Sequence, residues 1–259
     1  MGIPHNMIYT MEEKKQPYLF GINPVHEAIK TGRKFEKILF KQGLEGDKFR
    51  ALLDLVKQNE IPFQFVPGEK MNKLYRGAHQ GVIGYMSQID YLPFEDVVEK
   101  ALAVSSAPIF LMLDGVSDVR NFGAIVRSAE CAGVSGVILP AKGGAAINAD
   151  AIKTSSGALL RVPVCKVPNL RIPLYWLIDA GFHVVGATEK AGCSIYDVDL
   201  TQPTVIVMGS EGKGISDSVL SLCNVKAAIP MLGQIGSLNV SVATAIVLFE
   251  AVRQRMPKI

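Results

Sequence analysis

No stretch of this sequence is apolar for long enough to cross a membrane. The longest apolar runs, such as IFLML at 109–113, are strand-sized, against the roughly 20 residues that a spanning helix needs. The chain does not open with a positively charged segment leading into an apolar core and cleavage site. No secretion signal is therefore visible, and the cytosol (a cytoplasmic location) is the expected compartment. Cysteine is sparse: Cys131, Cys165, Cys193 and Cys223 lie about 30 residues apart without a C-x-x-C pair. Isolated buried thiols are expected rather than a disulfide framework. The four histidines, His5, His26, His79 and His183, are dispersed and share no ligand-like spacing with cysteine or carboxylate, so no metal is expected. A large excess of charge is missing too. The net charge is +3, too mild to mark a nucleic-acid binder by itself. Its distribution says more: residues 1–92 hold 13 Lys/Arg against 10 Asp/Glu, and the rest of the chain holds 14 of each. A polyanion would first dock on the first third.

What is present is a globular composition: 259 residues, 49% hydrophobic and 20% charged, with 24 glycines. That is enough to bury two modest cores. Residues 1–10 precede a further methionine, Met11, and are set apart from the fold. Asn23-Pro24 predicts a helix start, because asparagine caps free N–H groups and proline suits the first turn. Strand-like runs follow at 37–40, 63–66 and 81–86, separated by helical spacing. These define a small α/β domain over 18–90, then a linker over 91–107 rich in proline, serine and acidic residues and carrying a helical turn. From Pro108 continuous apolar strands alternate with helices up to residue 259, the pattern of a parallel sheet covered on both faces. The last helix is expected to begin near Leu238, and its run NVSVATAIVLFEAVRQR is apolar on most sides. Such a helix needs burial against the sheet, another subunit, or both.

Three clusters carry the chemistry, each where a strand ends: NFGAIVR (121–127), MGSEGKGIS (208–216) and IPMLGQIGSLNVSVA (229–243). Open parallel sheets bind ligands at that edge. GSEGKGIS is neither a P-loop, which places Lys-Ser/Thr directly after its last glycine, nor a G-x-G-x-x-G fingerprint. A phosphate cradle is disfavoured, and so is a dinucleotide-dependent oxidoreductase, the rival that the alternating pattern allows.

Taken together and in order, the clusters resemble the three motifs of the SpoU/TrmH (SPOUT) RNA methyltransferases. The likeness extends to Ala78-His79-Gln80-Gly81, which resembles the end of the family's small N-terminal domain, and covers nearly everything from Tyr18 to Arg255. Several expectations follow from the resemblance. The C-terminal parallel-sheet domain (108–259) contains a trefoil knot, against the usual rule that chains do not thread themselves. The small α/β domain has an RNA-binding, L30e-like ribosomal-protein fold. The cofactor is S-adenosylmethionine, held by Gly209, Ile229, Met231 and Leu238 with help from the loop at Thr188. The partners are RNA and a second copy of the chain in a homodimer, and the reaction is methylation of a ribose 2′-hydroxyl. The whole layout looks most like bacterial enzymes that modify a guanosine of 23S rRNA. Transfer-RNA methyltransferases, antibiotic-resistance rRNA methyltransferases and a non-catalytic RNA-binding assembly factor are the alternatives.

The candidate catalytic residues are Arg127, Asn121, Glu211, Ser237 and Asn239. Methyl transfer from a sulfonium is an in-line displacement that needs alignment and removal of a hydroxyl proton. A free guanidinium is a poor base, so Arg127 is expected to hold the adjacent RNA phosphate and stabilise developing negative charge. Glu211 would orient an arginine, which a carboxylate can grip bidentately. Asn121, Ser237 and Asn239 supply neutral donors and acceptors, although Asn121 and Ser237 equally suit plain helix caps. The serine-rich KTSSGALLR (153–161) is expected as a substrate-facing or dimer loop. Arg33, Lys34, Lys37, Lys41 and Arg76 are candidates for phosphate contacts. Replacing Gly209 with valine is expected to block the cofactor and leave the fold native.

Overall fold

The computed structural model describes residues 8–10 and 17–256. They divide into two compact units: residues up to 90 with 147–149, and 91–146 with 150 onward.

In the first unit, β1 (Ile8–Thr10) pairs antiparallel with β2 (Pro17–Phe20). Part of the N-terminal segment set apart above is therefore an edge strand; His5 lies outside the described residues. α1 (Ile22–Lys30) begins one residue before Asn23-Pro24 and buries Val25, Ala28 and Ile29. β3 (Phe35–Lys41), α2 (Asp47–Gln58), β4 (Phe63–Val66), α3 (Gly68–Leu74) and β5 (Val82–Met86) complete the unit. The sheet runs β1-β2-β5-β3-β4, and its β3–β4 pair is parallel. Strand side chains alternate between faces, so each face has its own core. Leu19, Ile38 and Phe40 meet Phe49, Leu52 and Val56 of α2 on one side. Tyr18, Leu39 and Ile83 meet Met71 of α3 on the other. Of the basic candidates, Lys37 lies over the Tyr85 ring, 4.6 Å from its centroid.

The loop before β5 is tied at three points. Gly81 N–H donates to His79 Nδ1 at 3.0 Å, which leaves the ring's proton on Nε2, 2.9 Å from Asn72 Oδ1. Gln80, in a left-handed conformation at φ +49°, accepts from Ile22 N at 3.3 Å and so satisfies one of the free N–H groups of α1.

The second unit opens with α4 (Phe94–Val104), inside the stretch expected to be a linker. Phe94, Val97, Val98 and Ala101 of this helix are buried in the unit's main core. Then come β6 (Ile109–Asp114), α5 (Val119–Cys131), β7 (Gly136–Pro140), α6 (Ala149–Thr154), β8 (Val164–Val167), α7 (Arg171–Asp179), β9 (His183–Ala187), β10 (Cys193–Ser194), β11 (Thr204–Gly209), α8 (Asp217–Leu220), β12 (Val225–Ala228) and α9 (Val240–Arg255). The seven strands are all parallel, in the order β10-β12-β9-β11-β6-β7-β8. α4, α7 and α8 pack with Phe110, Met112, Val205 and Val207 on one face. On the other side of the sheet α5 packs along α9, which also contacts β11. Chain order reverses between β6 and β11, the place where such sheets open a crevice.

α9 buries Val240, Thr244, Val247, Leu248, Glu250 and Ala251 but leaves Val242 and Phe249 each 48% exposed. The serine-rich stretch forms the end of α6 and a 3-10 turn over Ala158–Leu160. Its Ser155 is fully buried, with its hydroxyl donating to Ile152 O. Of the four thiols, Cys165 alone is buried among the described residues, while Cys131 is exposed and Cys193 and Cys223 are partly covered. The uniform set of buried thiols expected from spacing is not found. Among the described residues no helix is long and apolar enough to cross a membrane, and no group of three potential metal-binding side chains gathers.

Candidate functional site

A cavity of about 460 Å³ opens at the C-terminal edge of the parallel sheet, a size within the range of small-molecule sites. Its walls are the loops that leave three neighbouring strands. Residues 187–189 follow β9; 208–212 and Gly214 end β11; Ala227, Ile229, Met231 and 236–240 follow β12, with Ala243 on α9. Every residue expected to hold the cofactor, Thr188, Gly209, Ile229, Met231 and Leu238, lines this cavity, as do Glu211, Ser237 and Asn239. Asn121 and Arg127 do not.

The segment after β11 is a tight hairpin. Ser210 N donates to Gly214 O at 3.1 Å and Gly214 N to Ser210 O at 2.9 Å. Gly212 (φ +91°) and Gly214 (φ +70°) turn the chain through the left-handed region, which glycine enters at no steric cost. Asp114, at the end of β6 and opposite Gly209 in register, accepts from Ser216 N at 2.8 Å and holds the hairpin's return. A Cβ on Gly209 would lie 2.0 Å from Gly214 C and 2.2 Å from Ile215 N. The glycine is thus required by the chain's own backbone. The expectation that Gly209→Val would leave the fold native is corrected: it would disrupt the hairpin first.

Asn239 joins the three clusters. It is the N-cap of α9, its Oδ1 accepting from Ser241 N at 3.0 Å and Val242 N at 3.4 Å. Its Nδ2 donates to Asn121 Oδ1 at 3.0 Å and to Glu211 Oε1 at 2.8 Å. Val240 N also approaches Glu211 Oε1, at 3.4 Å. One amide therefore caps a helix, aligns Glu211 and reaches across to α5. The cap of α5 is Asp118, which accepts from Arg120 N and Asn121 N, so Asn121 sits inside the first turn with its side chain free for Asn239. Neither Asn121 nor Ser237 is the cap that the sequence allowed. Both true caps fall within three residues of those candidates.

Arg127 lies two turns along α5 on an exposed position. Seven residues after Arg120, it shares that residue's side of the helix. Among the described residues its side chain makes no hydrogen bond or ion pair. The structure joins Asn121, Glu211 and Asn239 and leaves Arg127 apart from them. Glu189, Asp114 and Asp118 were not singled out from the sequence. An acidic residue at the end of an apolar strand is the signal that marks Asp114, and the turn after β9 is the one for Glu189.

Comparison with known proteins places this geometry. The profile of the SpoU rRNA Methylase family matches residues 108–249. That of the RNA 2′-O ribose methyltransferase substrate-binding domain matches residues 18–92. A Shewanella oneidensis protein named 23S rRNA (guanosine-2′-O-)-methyltransferase RlmB is 36% identical over 93% of this chain and 99% of its own length. A Bacillus subtilis protein assigned to the TrmH family of tRNA/rRNA methyltransferases is 32% identical over 94% and 98%. Among solved structures, the SpoU methyltransferase AviRb from Streptomyces viridochromogenes in complex with AdoMet superimposes with a TM-score of 0.58 at 25% identity, covering 93% of this chain and 90% of that one. The chain belongs to the SpoU family of RNA methyltransferases, whose cofactor is S-adenosylmethionine.

Proposed function

We propose that this SpoU-family chain methylates a ribose 2′-hydroxyl in 23S rRNA, at a guanosine, with S-adenosylmethionine bound in the cavity between the β9, β11 and β12 loops. The observation that carries the reading is the Asn121–Asn239–Glu211 chain of hydrogen bonds at the cavity wall, made of residues drawn from all three clusters. The lining suits the cofactor. Ile229, Leu238, Met208 and Met231 offer apolar surface to a purine, the glycine-rich hairpin offers backbone groups, and Glu189 and Glu211 offer negative charge to a cationic ligand. The cofactor supplies an activated methyl group. The chain's own residues must align the hydroxyl and stabilise the oxygen as its proton leaves.

In this reading Arg127 takes the RNA phosphate next to the target, and the proton passes to that phosphate or to water. Its exposed position on α5 leaves the guanidinium open to a large ligand. Oε1 of Glu211 is engaged by Asn239 and Val240, while among the described residues Oε2 takes no hydrogen bond. That oxygen is available to orient an arginine from a second subunit. A homodimer is part of the proposal, and exposed apolar side chains support it: Leu232 and Ile235, between β12 and α9, are 101% and 77% exposed, and Val242 and Phe249 of α9 are each 48% exposed. Apolar groups so placed are covered in most soluble proteins. A two-fold axis would let one patch cover its copy.

The test is transfer of tritiated methyl from S-adenosylmethionine to 23S rRNA fragments and to tRNA, with ribose methylation mapped in a deletion strain. Label at one guanosine of 23S rRNA, absent in the deletion strain, is expected; label on tRNA alone would move the substrate assignment. Arg127→Ala should cut single-turnover methylation at least about a hundredfold, since a positioned charge in such a site is worth about 3 kcal/mol. Cofactor affinity should stay near parental. Sedimentation should give twice the 28.0 kDa chain mass, and a fully active monomer at micromolar concentration would remove the dimer.

A further inference from the structure

We propose that Glu189 is a specificity residue of the cofactor cavity: its carboxylate makes the cavity prefer the sulfonium form of the ligand over the uncharged thioether left after methyl transfer. The inference rests on the reading that this cavity holds S-adenosylmethionine.

Glu189 sits at the apex of the turn that follows β9, and both ends of the turn are fixed. Thr188 N donates to Ala227 O at 2.9 Å, which ties the turn to β12. On the far side Lys190 N reaches Thr188 Oγ1 at 3.4 Å and Ala191 N reaches Thr188 O at 3.3 Å. The turn thus delivers one carboxylate to the cavity wall, while Glu211 arrives from the β11 hairpin. These are the charged side chains of the lining among the described residues, of which no Lys, Arg or His lines the cavity. Lys190 and Lys213 follow lining residues in the chain, are exposed and are not among the lining residues. Each named charge on the wall is therefore negative.

The two ligand forms share adenine, ribose and the amino-acid end, so contacts to those parts hold both equally. They differ in one methyl and one charge: S-adenosylmethionine carries a net positive charge, and its thioether product carries none. A wall that touches the methyl and a group that responds to the charge can each separate them, and exchanging a carboxylate for an amide of the same shape isolates the part due to charge. A carboxylate a few ångströms from the sulfonium, at a water-exposed wall, is worth about three- to tenfold in affinity. The product is held less firmly than the substrate by the same factor, which favours its exchange for fresh cofactor. Glu211 is already engaged by Asn239. Glu189 lines the cavity, and its exposed side chain takes no hydrogen bond or ion pair among the described residues, so its carboxylate is not neutralised by a protein partner.

Calorimetric titration of the full chain and of Glu189→Gln with three ligands tests this: S-adenosylmethionine, S-adenosylhomocysteine and sinefungin, which carries an ammonium near the sulfonium position. The glutamine keeps the shape and removes the charge. S-adenosylmethionine and sinefungin should each bind about three- to tenfold more weakly to the variant, with S-adenosylhomocysteine changed less than about 1.5-fold. The loss should shrink as salt is raised. An equal loss for all three ligands would place Glu189 on a part they share, such as the ribose, and overturn the proposal; so would no loss for any. A parent protein that binds none of the three would instead overturn the assignment of the cavity itself.

Discussion

At Gly209 the absence of a side chain is what lets β11 fold back onto its own hairpin. A methyl group there would meet Gly214 and Ile215 backbone at 2.0–2.2 Å, and no flexible side-chain end can give way. Gly209→Ala is expected to lower stability by about 1–3 kcal/mol or more, read as a fall in melting temperature, with cofactor binding lost alongside; an unchanged melting curve would remove this account. The sequence singled out the residue, but its neighbour in space is five positions on and invisible to a motif. Arg255 is the converse case, given no role in the sequence although it ends the apolar run NVSVATAIVLFEAVRQR. Its guanidinium donates to Leu200 O and Gln202 O at 2.7 Å each and to Ala107 O, and burial lowers its pKa. Truncation to alanine would remove the donors of Leu200 O and Ala107 O, while Gln202 O would keep the Thr204 hydroxyl at 2.6 Å; a loss of about 2–4 kcal/mol is expected in a denaturant titration. The thiols should separate by reactivity: Cys131 first, and Cys165, which burial pushes up to about 12, last.

Elements meet at this site through their ends. Asn239 caps α9 with its oxygen and bridges Asn121 and Glu211 with its nitrogen, so the two roles can be separated. Asn239→Ser retains a good cap and removes the bridging donor. Its stability should stay within about 1 kcal/mol of the parent while single-turnover methylation falls at least about tenfold. If activity survives, Glu211 and Asn121 do not need alignment. The helices themselves were legible because their apolar spacing is strong. Their caps were not, because Asp118 and Asn121, or Ser237 and Asn239, are chemically equivalent until tertiary packing fixes where the helix begins. β1 and β10, at three and two residues, are too short to show alternation. In the loop before β5, Gly81 N–H needs an unprotonated His79 Nδ1. Desolvation, with Lys41 nearby, lowers the pKa of His79. The folded state therefore binds fewer protons than the unfolded one just below the ordinary histidine value of about 6.5, and stability should be complete above it and decline as pH falls through it. Melting curves between pH 7 and 5 should show a shallower decline for His79→Gln.

At the scale of the whole chain, the alternation of buried strands and helices beyond Pro108 could be read directly, since strands covered on both faces are continuously apolar. The stretch before it was misread because Pro93 and the Ser105-Ser106 pair flank it and Glu95, Asp96 and Glu99 lie within it, giving it the composition of a linker although α4 runs from Phe94 to Val104. α4 is not a tether. Phe94, Val97, Val98 and Ala101 lie in the same core as Phe110, Met112 and Val205, and Leu92 N donates to Val164 O at 3.0 Å. A chain beginning at residue 91 keeps that layer, and one beginning at 108, where the family match starts, strips it from one face of the sheet. Four apolar side chains at about 1–3 kcal/mol each approach the 5–15 kcal/mol that holds an ordinary domain together. We therefore expect the 91–259 fragment to melt cooperatively and to bind S-adenosylmethionine within about threefold of the full chain, because every wall of the cavity comes from residues 187–243. The 108–259 fragment should aggregate or melt at least about 10 °C lower, a few degrees being lost per kcal/mol in a domain of this size. Equal melting temperatures for the two fragments would show that α4 adds nothing to the core it lies in.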